Sequence, residues 1–149
     1  MNLSPNFTLE ELTHSETAIR LGIDNTPTVE VIDNLKFLAE RLEDVRSILR
    51  CPMLISSGFR CHDLNDHLGS KRSSQHITGN AVDFIAPSFG NPRSVVEEII
   101  KHTSGKINYD QIILEMGRWV HISFVKDNPR NSALIIDKNG ARPFENFIY

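Results

Sequence analysis

The most constraining feature of the sequence is a stripe of apolar residues between positions 29 and 49. Its spacing of three or four residues places the side chains on one face of a helix. Thr26-Pro27, just before it, is typical of an N-cap followed by a first-turn proline. The pattern predicts an amphipathic helix over about 27–49, packed on a core. The members of the stripe are Val29, Ile32, Leu35, Leu38, Leu42, Val45 and Leu49.

The other predicted elements are shorter, and most strands follow the helices. A capping box from Thr8 to Glu11, with Phe7 and Leu12 as a staple, predicts a helix over about 8–14. Asn91-Pro92 predicts a second short helix, over about 92–103. This order favours an α+β fold with an antiparallel sheet and packed helices. Strands are predicted over 53–56, 81–85, 111–115 and 119–124, the last two as a hairpin, and a second hairpin is predicted over 134–137 and from 141 onward.

Length and composition restrict the class of protein. A chain of 149 residues predicts a single domain over 1–149. No apolar run approaches the roughly 20 residues of a membrane helix, and a net charge of −3 argues against a dedicated nucleic-acid binder. Met1–Asn6 lacks the basic and apolar regions of a secretion signal, so we expect synthesis in the cytoplasm. Cys51 and Cys61 are therefore expected to be reduced thiols.

Three polar residues are candidates for one site. Asp83 lies in the middle of a predicted apolar strand, where a buried carboxylate needs a cation, hydrogen bonds or a metal. If its strand neighbours the one that carries His121, the two side chains converge, and Gly79 lets the loop carrying His76 turn towards them. Two histidines and an aspartate suit zinc and leave a fourth position open, as in catalytic sites. The alternative is a buried Asp–His ion pair beside an unrelated loop histidine.

Three motifs in the middle of the chain narrow these alternatives. In order, they are Ser56-Ser57-Gly58-Phe59-Arg60, then Ser74-Gln75-His76-x-x-Gly79-x-Ala81-x-Asp83, then Trp119-Val120-His121, with Asn65 between the first two. Together they resemble the zinc D-Ala-D-Ala peptidases, and most closely the small phage and prophage members of that family. The resemblance implies the fold shared with the hedgehog signalling domain. It also implies Zn²⁺ held by His76, Asp83 and His121, and cleavage of the peptide stem of bacterial peptidoglycan.

The resemblance also implies roles for neighbouring residues. Arg60 would lie near the reacting carbonyl or a substrate carboxylate, which a guanidinium can grip through two hydrogen bonds. Ser74 would bind substrate or support its loop, and Trp119 would line the cleft or pack. Many members place an acid three residues before the last histidine ligand. Here that residue is Arg118, which cannot accept a proton.

The general base is therefore sought elsewhere. Glu115 lies six residues before His121, and a hairpin turn would fold it back beside that histidine. We expect Glu115 to be the base, with Asp110 as second candidate. Cys61, His62 and His67 are interpreted as loop residues rather than a second metal site.

Several questions of function stay open at this point. The enzyme would act as a D-Ala-D-Ala carboxypeptidase or as a stem endopeptidase, either released in phage lysis or carried on the virion. Alternatives are a non-catalytic virion or tail module that keeps the fold, and a cytosolic enzyme for free D-Ala-D-Ala. We expect stem peptides as partners, no nucleic acid, no membrane insertion and a monomer.

Overall fold

The computed structural model describes residues 1–103 and 105–144. Helices and strands are mixed along these residues, and the α+β class predicted from the sequence is confirmed. The helices are α1 (Leu9–Thr13), α2 (Glu16–Leu21), α3 (Val29–Leu49), α4 (His62–His67) and α5 (Pro92–Ile100). The strands are β1 (Asn2–Ser4), β2 (Phe7–Thr8), β3 (Leu54–Ser57), β4 (Ala81–Ile85), β5 (Gln111–Glu115), β6 (Trp119–Ser123), β7 (Ser132–Asp137) and β8 (Gly140–Pro143).

Six strands form one mixed sheet in the order β3-β4-β6-β5-β7-β8, while β1 and β2 form a small antiparallel pair. Neighbours in the large sheet are antiparallel except β5 and β7, which run parallel. The sheet differs from the predicted antiparallel one at this pairing. Since β4 and β5 occupy both edges of β6, the chain after β6 crosses to the free edge of β5. The arrangement is consistent with a hedgehog/DD-peptidase-like fold.

The hydrophobic core lies between α3, α5 and one face of the large sheet. The predicted apolar stripe supplies the α3 side of this core from Leu35 onward, whereas Val29 at the start of the helix is 72% exposed. Alternate residues of the central strands supply the sheet side, because side chains alternate between the two faces of a strand. These residues are Val82, Phe84, Ile112, Leu114, Val120 and Ile122. The opposite face is left for the site described below.

The start of α3 differs from the prediction by two residues. The N-cap is Thr28, whose hydroxyl accepts from the Val31 amide at 3.3 Å, and not Thr26. Asp24 explains the difference, because its carboxylate accepts from both the amide and the hydroxyl of Thr26, at 3.0 and 2.6 Å. The Thr26 side chain is thereby engaged in a local turn that precedes the helix.

The remaining elements mostly agree with their predicted positions. The Thr8 hydroxyl caps α1 by accepting from Glu11, and Phe7 and Leu12 are both buried. The hairpin from 134 onward corresponds to β7 and β8, and the part beyond residue 144 lies outside the described residues. The segment of Cys61, His62 and His67, which was interpreted as a loop, contains α4, and α2 was not predicted. Cys51 and Cys61 are free thiols.

A bilayer requires about 20 predominantly apolar residues in one helix. Within the described ranges, no helix combines that length with sufficient apolar character.

Candidate metal centre

Asp83 and His121 lie directly opposite each other on the adjacent strands β4 and β6. Residues paired in this way project to the same side of a sheet, here the side away from the core. The Nδ1 atom of His121 lies 3.0 Å from Oδ1 of Asp83. The predicted convergence of the two side chains is therefore present, and it results from strand pairing between residues 38 positions apart.

The loop before β4 brings His76 to the same place. Gly79 makes this possible, because its φ of +77° disfavours other residues and its Cα packs tightly on α3. A Cβ at position 79 would lie 3.0 Å from Cγ1 of Val31 and 3.1 Å from its carbonyl oxygen. The loop therefore returns close to the helix, and Nε2 of His76 lies 3.3 Å from Oδ1 of Asp83.

A backbone carbonyl fixes the orientation of His76. Its Nδ1 donates to the carbonyl oxygen of Gly58 at 2.7 Å, which directs Nε2 towards Asp83. Gly58 is held in turn by α1, since the Phe59 amide donates to the Leu12 carbonyl at 2.7 Å. A Cβ on Gly58 would lie 2.2 Å from that Leu12 oxygen, so this contact requires glycine. Sequence reasoning did not identify the carbonyl of Gly58.

The donor set fits a metal ion. Burial lowers the pKa of His76, so its imidazole is neutral with the proton on Nδ1, because a carbonyl can only accept. Burial opposes ionisation of Asp83, but its hydrogen bond with His121 holds the pKa of this carboxyl well below its usual range. The lone pair of His76 Nε2 therefore faces an ionised oxygen, an unfavourable arrangement that a bound cation relieves.

One candidate ligand atom from each of His76, Asp83 and His121 lies within 4.8 Å of the others. All three residues are buried or nearly so. In the part of the chain that the structure describes, no other group of three or more such side chains is close enough to hold a metal. Two imidazoles and one carboxylate are ligands that zinc accepts in tetrahedral geometry with one position open.

Arg60 neutralises the second oxygen of Asp83. Its Nη2 lies 3.4 Å from Asp83 Oδ2, and the guanidinium also donates to the hydroxyls of Ser57 and Ser70, at 3.0 and 3.1 Å. The side chain is only 12% exposed. Arg60 thus lies beside the candidate metal ligands, on the wall of the cleft, with its three nitrogens engaged.

Glu115 shares this face of the sheet. In the β5–β6 hairpin it pairs with Trp119, while Ile113 pairs with His121, so Glu115, Trp119 and His121 project to one side. The turn between the strands places Met116 and Gly117 at positive φ. Burial raises the pKa of Glu115, with smaller opposing effects from His121 and Arg60. The structure therefore brings a half-buried carboxyl group close to the candidate metal ligands.

These residues line a cleft of about 870 Å³. The sheet supplies one wall, including Trp119, and the segment 69–76 supplies the other. Ser74 lines the cleft, and its hydroxyl accepts from the His76 amide at 3.2 Å, which stabilises the ligand loop. The predicted site residues are all part of this cleft wall: Arg60, Ser74, His76, Asp83, Glu115, Trp119 and His121.

Asp110, the second candidate for a general base, is engaged differently. Arg130 donates to it from Nε at 3.0 Å and from Nη2 at 2.7 Å, and Gln75 donates at 2.9 Å. The hydrogen bonds from Arg130 lower the pKa of Asp110, which makes it a poor proton acceptor. Arg130 follows no motif, so sequence reasoning did not identify this network.

Comparison with known families matches residues 5–123 to the family described as Peptidase M15. The chain belongs to the peptidase M15 family. These M15 peptidases are zinc-dependent, so the chain is assigned to the zinc metallopeptidases, and the cluster of His76, Asp83 and His121 lies within the matched range. A search among curated proteins gives no match. The family assignment agrees with the broader resemblance to zinc peptidases noted from the motifs.

Proposed function

We propose that this M15 peptidase cleaves the peptide stem of bacterial peptidoglycan, as a D-Ala-D-Ala carboxypeptidase or as an endopeptidase within the stem. The observation that carries the proposal is the position of Glu115 beside a candidate zinc triad in one open cleft. The motif resemblance to small phage and prophage members supports a role in phage lysis or on a virion. Among the residues that the structure describes, none forms an ion pair with Glu115, and a purely structural module would have no need of such a carboxyl group in the cleft.

In the proposed reaction, the metal and the side chains of the protein have separate roles. Zinc, when bound, polarises a carbonyl and lowers the pKa of a bound water to about 7. His76, Asp83 and His121 hold the ion, and the Gly58 carbonyl keeps His76 in its ligating orientation. A carboxylate on the reacting side of such a site can take a proton from the attacking water and return it to the leaving amine.

Glu115 is the proposed general base. Its burial raises the pKa of the carboxyl, which moves it closer to the working pH and makes it a better proton acceptor than an exposed glutamate. Arg60 has a separate role, since it holds the second oxygen of Asp83 and provides a positive charge at the cleft wall for the reacting carbonyl oxygen. Ser74 and Trp119 are the proposed contacts for the substrate.

The proposal is tested by mass spectrometry of purified muropeptides after incubation with zinc-loaded protein. A chelator-treated sample and the variant Glu115→Gln serve as controls. Loss of one alanine identifies a carboxypeptidase, and a shortened stem identifies an endopeptidase. If several wall chemistries give no product while zinc is bound, the proposal is contradicted, and hydrolysis of free D-Ala-D-Ala is then assayed to distinguish a dipeptidase from a non-catalytic module.

A further inference from the structure

Asp110 joins three segments of the chain next to the cleft, since its partner Gln75 and its neighbour Gln111 both line it. It lies between Tyr109 and the start of β5, is 4% exposed, and accepts hydrogen bonds at both carboxylate oxygens. Its amide also donates to the Ser123 carbonyl at 2.8 Å, which fixes the residue to the end of β6. A buried carboxylate with this many partners has a defined orientation, so it can define the positions of its partners.

One partner belongs to the loop that carries a candidate metal ligand. Gln75 Nε2 donates to Asp110 Oδ2 at 2.9 Å, and Gln75 directly precedes His76. The carbonyl of Gln75 accepts from the Asn80 amide at 3.0 Å and from the Thr78 hydroxyl at 3.2 Å, so the turn that follows His76 closes on this residue. Fixing the Gln75 side chain therefore limits the movement of the His76 backbone.

Arg130, the other partner, neutralises the negative charge of the Asp110 carboxylate. Arg130, from the connection between β6 and β7, donates to Asp110 from its backbone amide at 3.1 Å and from two guanidinium nitrogens. A buried carboxylate without such a partner would be costly. The ion pair therefore allows Asp110 to remain ionised beneath the loop and to accept from Gln75.

We propose that Asp110, held by Arg130, is a positioning residue that fixes the His76 loop through Gln75 and thereby sets the affinity of the site for zinc. The proposal rests on the role of His76 as a zinc ligand in the proposed function. Residues that orient metal ligands typically contribute 10–100-fold to metal affinity or activity. Asp110 does not line the cleft, so its effect on zinc passes through Gln75.

The test compares two variants that break the connection between Gln75 and Asp110 with one variant that leaves it intact. Gln75→Ala removes the hydrogen bond between the loop and Asp110, and Asp110→Ala removes the whole junction. Asp137→Ala is the matched control, because Asp137 forms a two-point ion pair with Arg142, at 3.1 and 2.9 Å, away from the loop. For each protein, the zinc dissociation constant is measured by competition with a chromophoric chelator. The visible spectrum of the Co²⁺-substituted form and the urea midpoint are also recorded.

We expect Gln75→Ala and Asp110→Ala to raise the zinc dissociation constant on the order of 10-fold or more and to change the Co²⁺ spectrum. Asp137→Ala should change neither. If Gln75→Ala keeps the wild-type zinc affinity and Co²⁺ spectrum, the proposal is overturned, whatever happens to its urea midpoint. These measurements need no substrate. A failure of wild-type protein to cleave wall fragments would therefore contradict the proposed function without affecting this result.

Discussion

At the scale of single residues, the site depends on three side chains that converge on one carboxylate. Asp83 and His121 could be predicted to converge on condition that their strands are neighbours, and the pairing of β4 with β6 meets that condition. The orientation of His76 could not be predicted. It depends on the carbonyl of Gly58, 18 residues away, and nothing in a sequence specifies which backbone oxygen a loop histidine will contact.

The metal ligands are tested by removing each histidine. We predict that His76→Ala and His121→Ala each lose zinc on dialysis, because two remaining ligands cannot hold it firmly. Zinc content measured by elemental mass spectrometry checks this. His67→Ala is the control, since His67 lies at the end of α4 and outside the cluster. Full zinc occupancy in both variants would contradict the assignment of His76 and His121 as zinc ligands.

The role of Glu115 is tested by an isosteric change. We predict that Glu115→Gln keeps zinc but lowers kcat on the order of 10²-fold or more, because an amide cannot take the proton. Steady-state kinetics on a muropeptide, together with zinc content, provide the measurement. Glu40→Gln, on the exposed side of α3, is the charge-matched control. Near-normal turnover in Glu115→Gln would assign the proton transfer to another group.

At the scale of secondary structure, the positions of most elements follow from short-range signals, whereas the pairing of the strands does not. The capping box placed α1 correctly, because Thr8 and Glu11 interact within one helical turn. The start of α3 was misplaced because the side chain of Asp24 engages Thr26 before the helix begins. The parallel pairing of β5 with β7 depends on which sheet edge remains free, and local patterns carry no information on that.

The contact between α1 and the turn after β3 positions the site. We predict that Gly58→Ala destabilises the protein by about 1–3 kcal/mol, because the new Cβ meets the Leu12 carbonyl oxygen, and weakens zinc binding, because the Gly58 carbonyl moves away from His76. Urea unfolding and chelator competition measure the two effects. At Gly90 the nearest contact of a new Cβ is 3.4 Å, so Gly90→Ala is the control. Equal stability of the two variants would contradict the account.

At the scale of the whole molecule, the two faces of the large sheet have different roles. One face packs against α3 and α5 to form the hydrophobic core, and the other supplies residues from β4, β5 and β6 to the cleft. The division follows the alternation along β6, in which Val120 and Ile122 face the core while Trp119 and His121 line the cleft. The network of Asp110, Gln75 and Arg130 was not predictable, since its members come from three distant segments.

The Asp110–Arg130 pair also predicts how stability depends on pH in the metal-free protein. The hydrogen bonds from Arg130 lower the pKa of Asp110 in the folded state, so their contribution is complete above the unfolded-state pKa of about 3.9 and is lost as the pH falls through the folded-state pKa. Urea unfolding should show Asp110→Ala less stable by about 2 kcal/mol at neutral pH. This difference should shrink in acid, and a difference that stays constant would contradict the prediction.

At this scale we propose that one zinc ion, held by His76, Asp83 and His121, makes the cleft the active site of a peptidase. The most direct measurement is a titration of metal-free protein with zinc while the cleavage of muropeptides is followed. We predict no cleavage without metal and a rate that rises linearly to a plateau at one equivalent of zinc. Cleavage by the metal-free protein, or none at full occupancy, would contradict it.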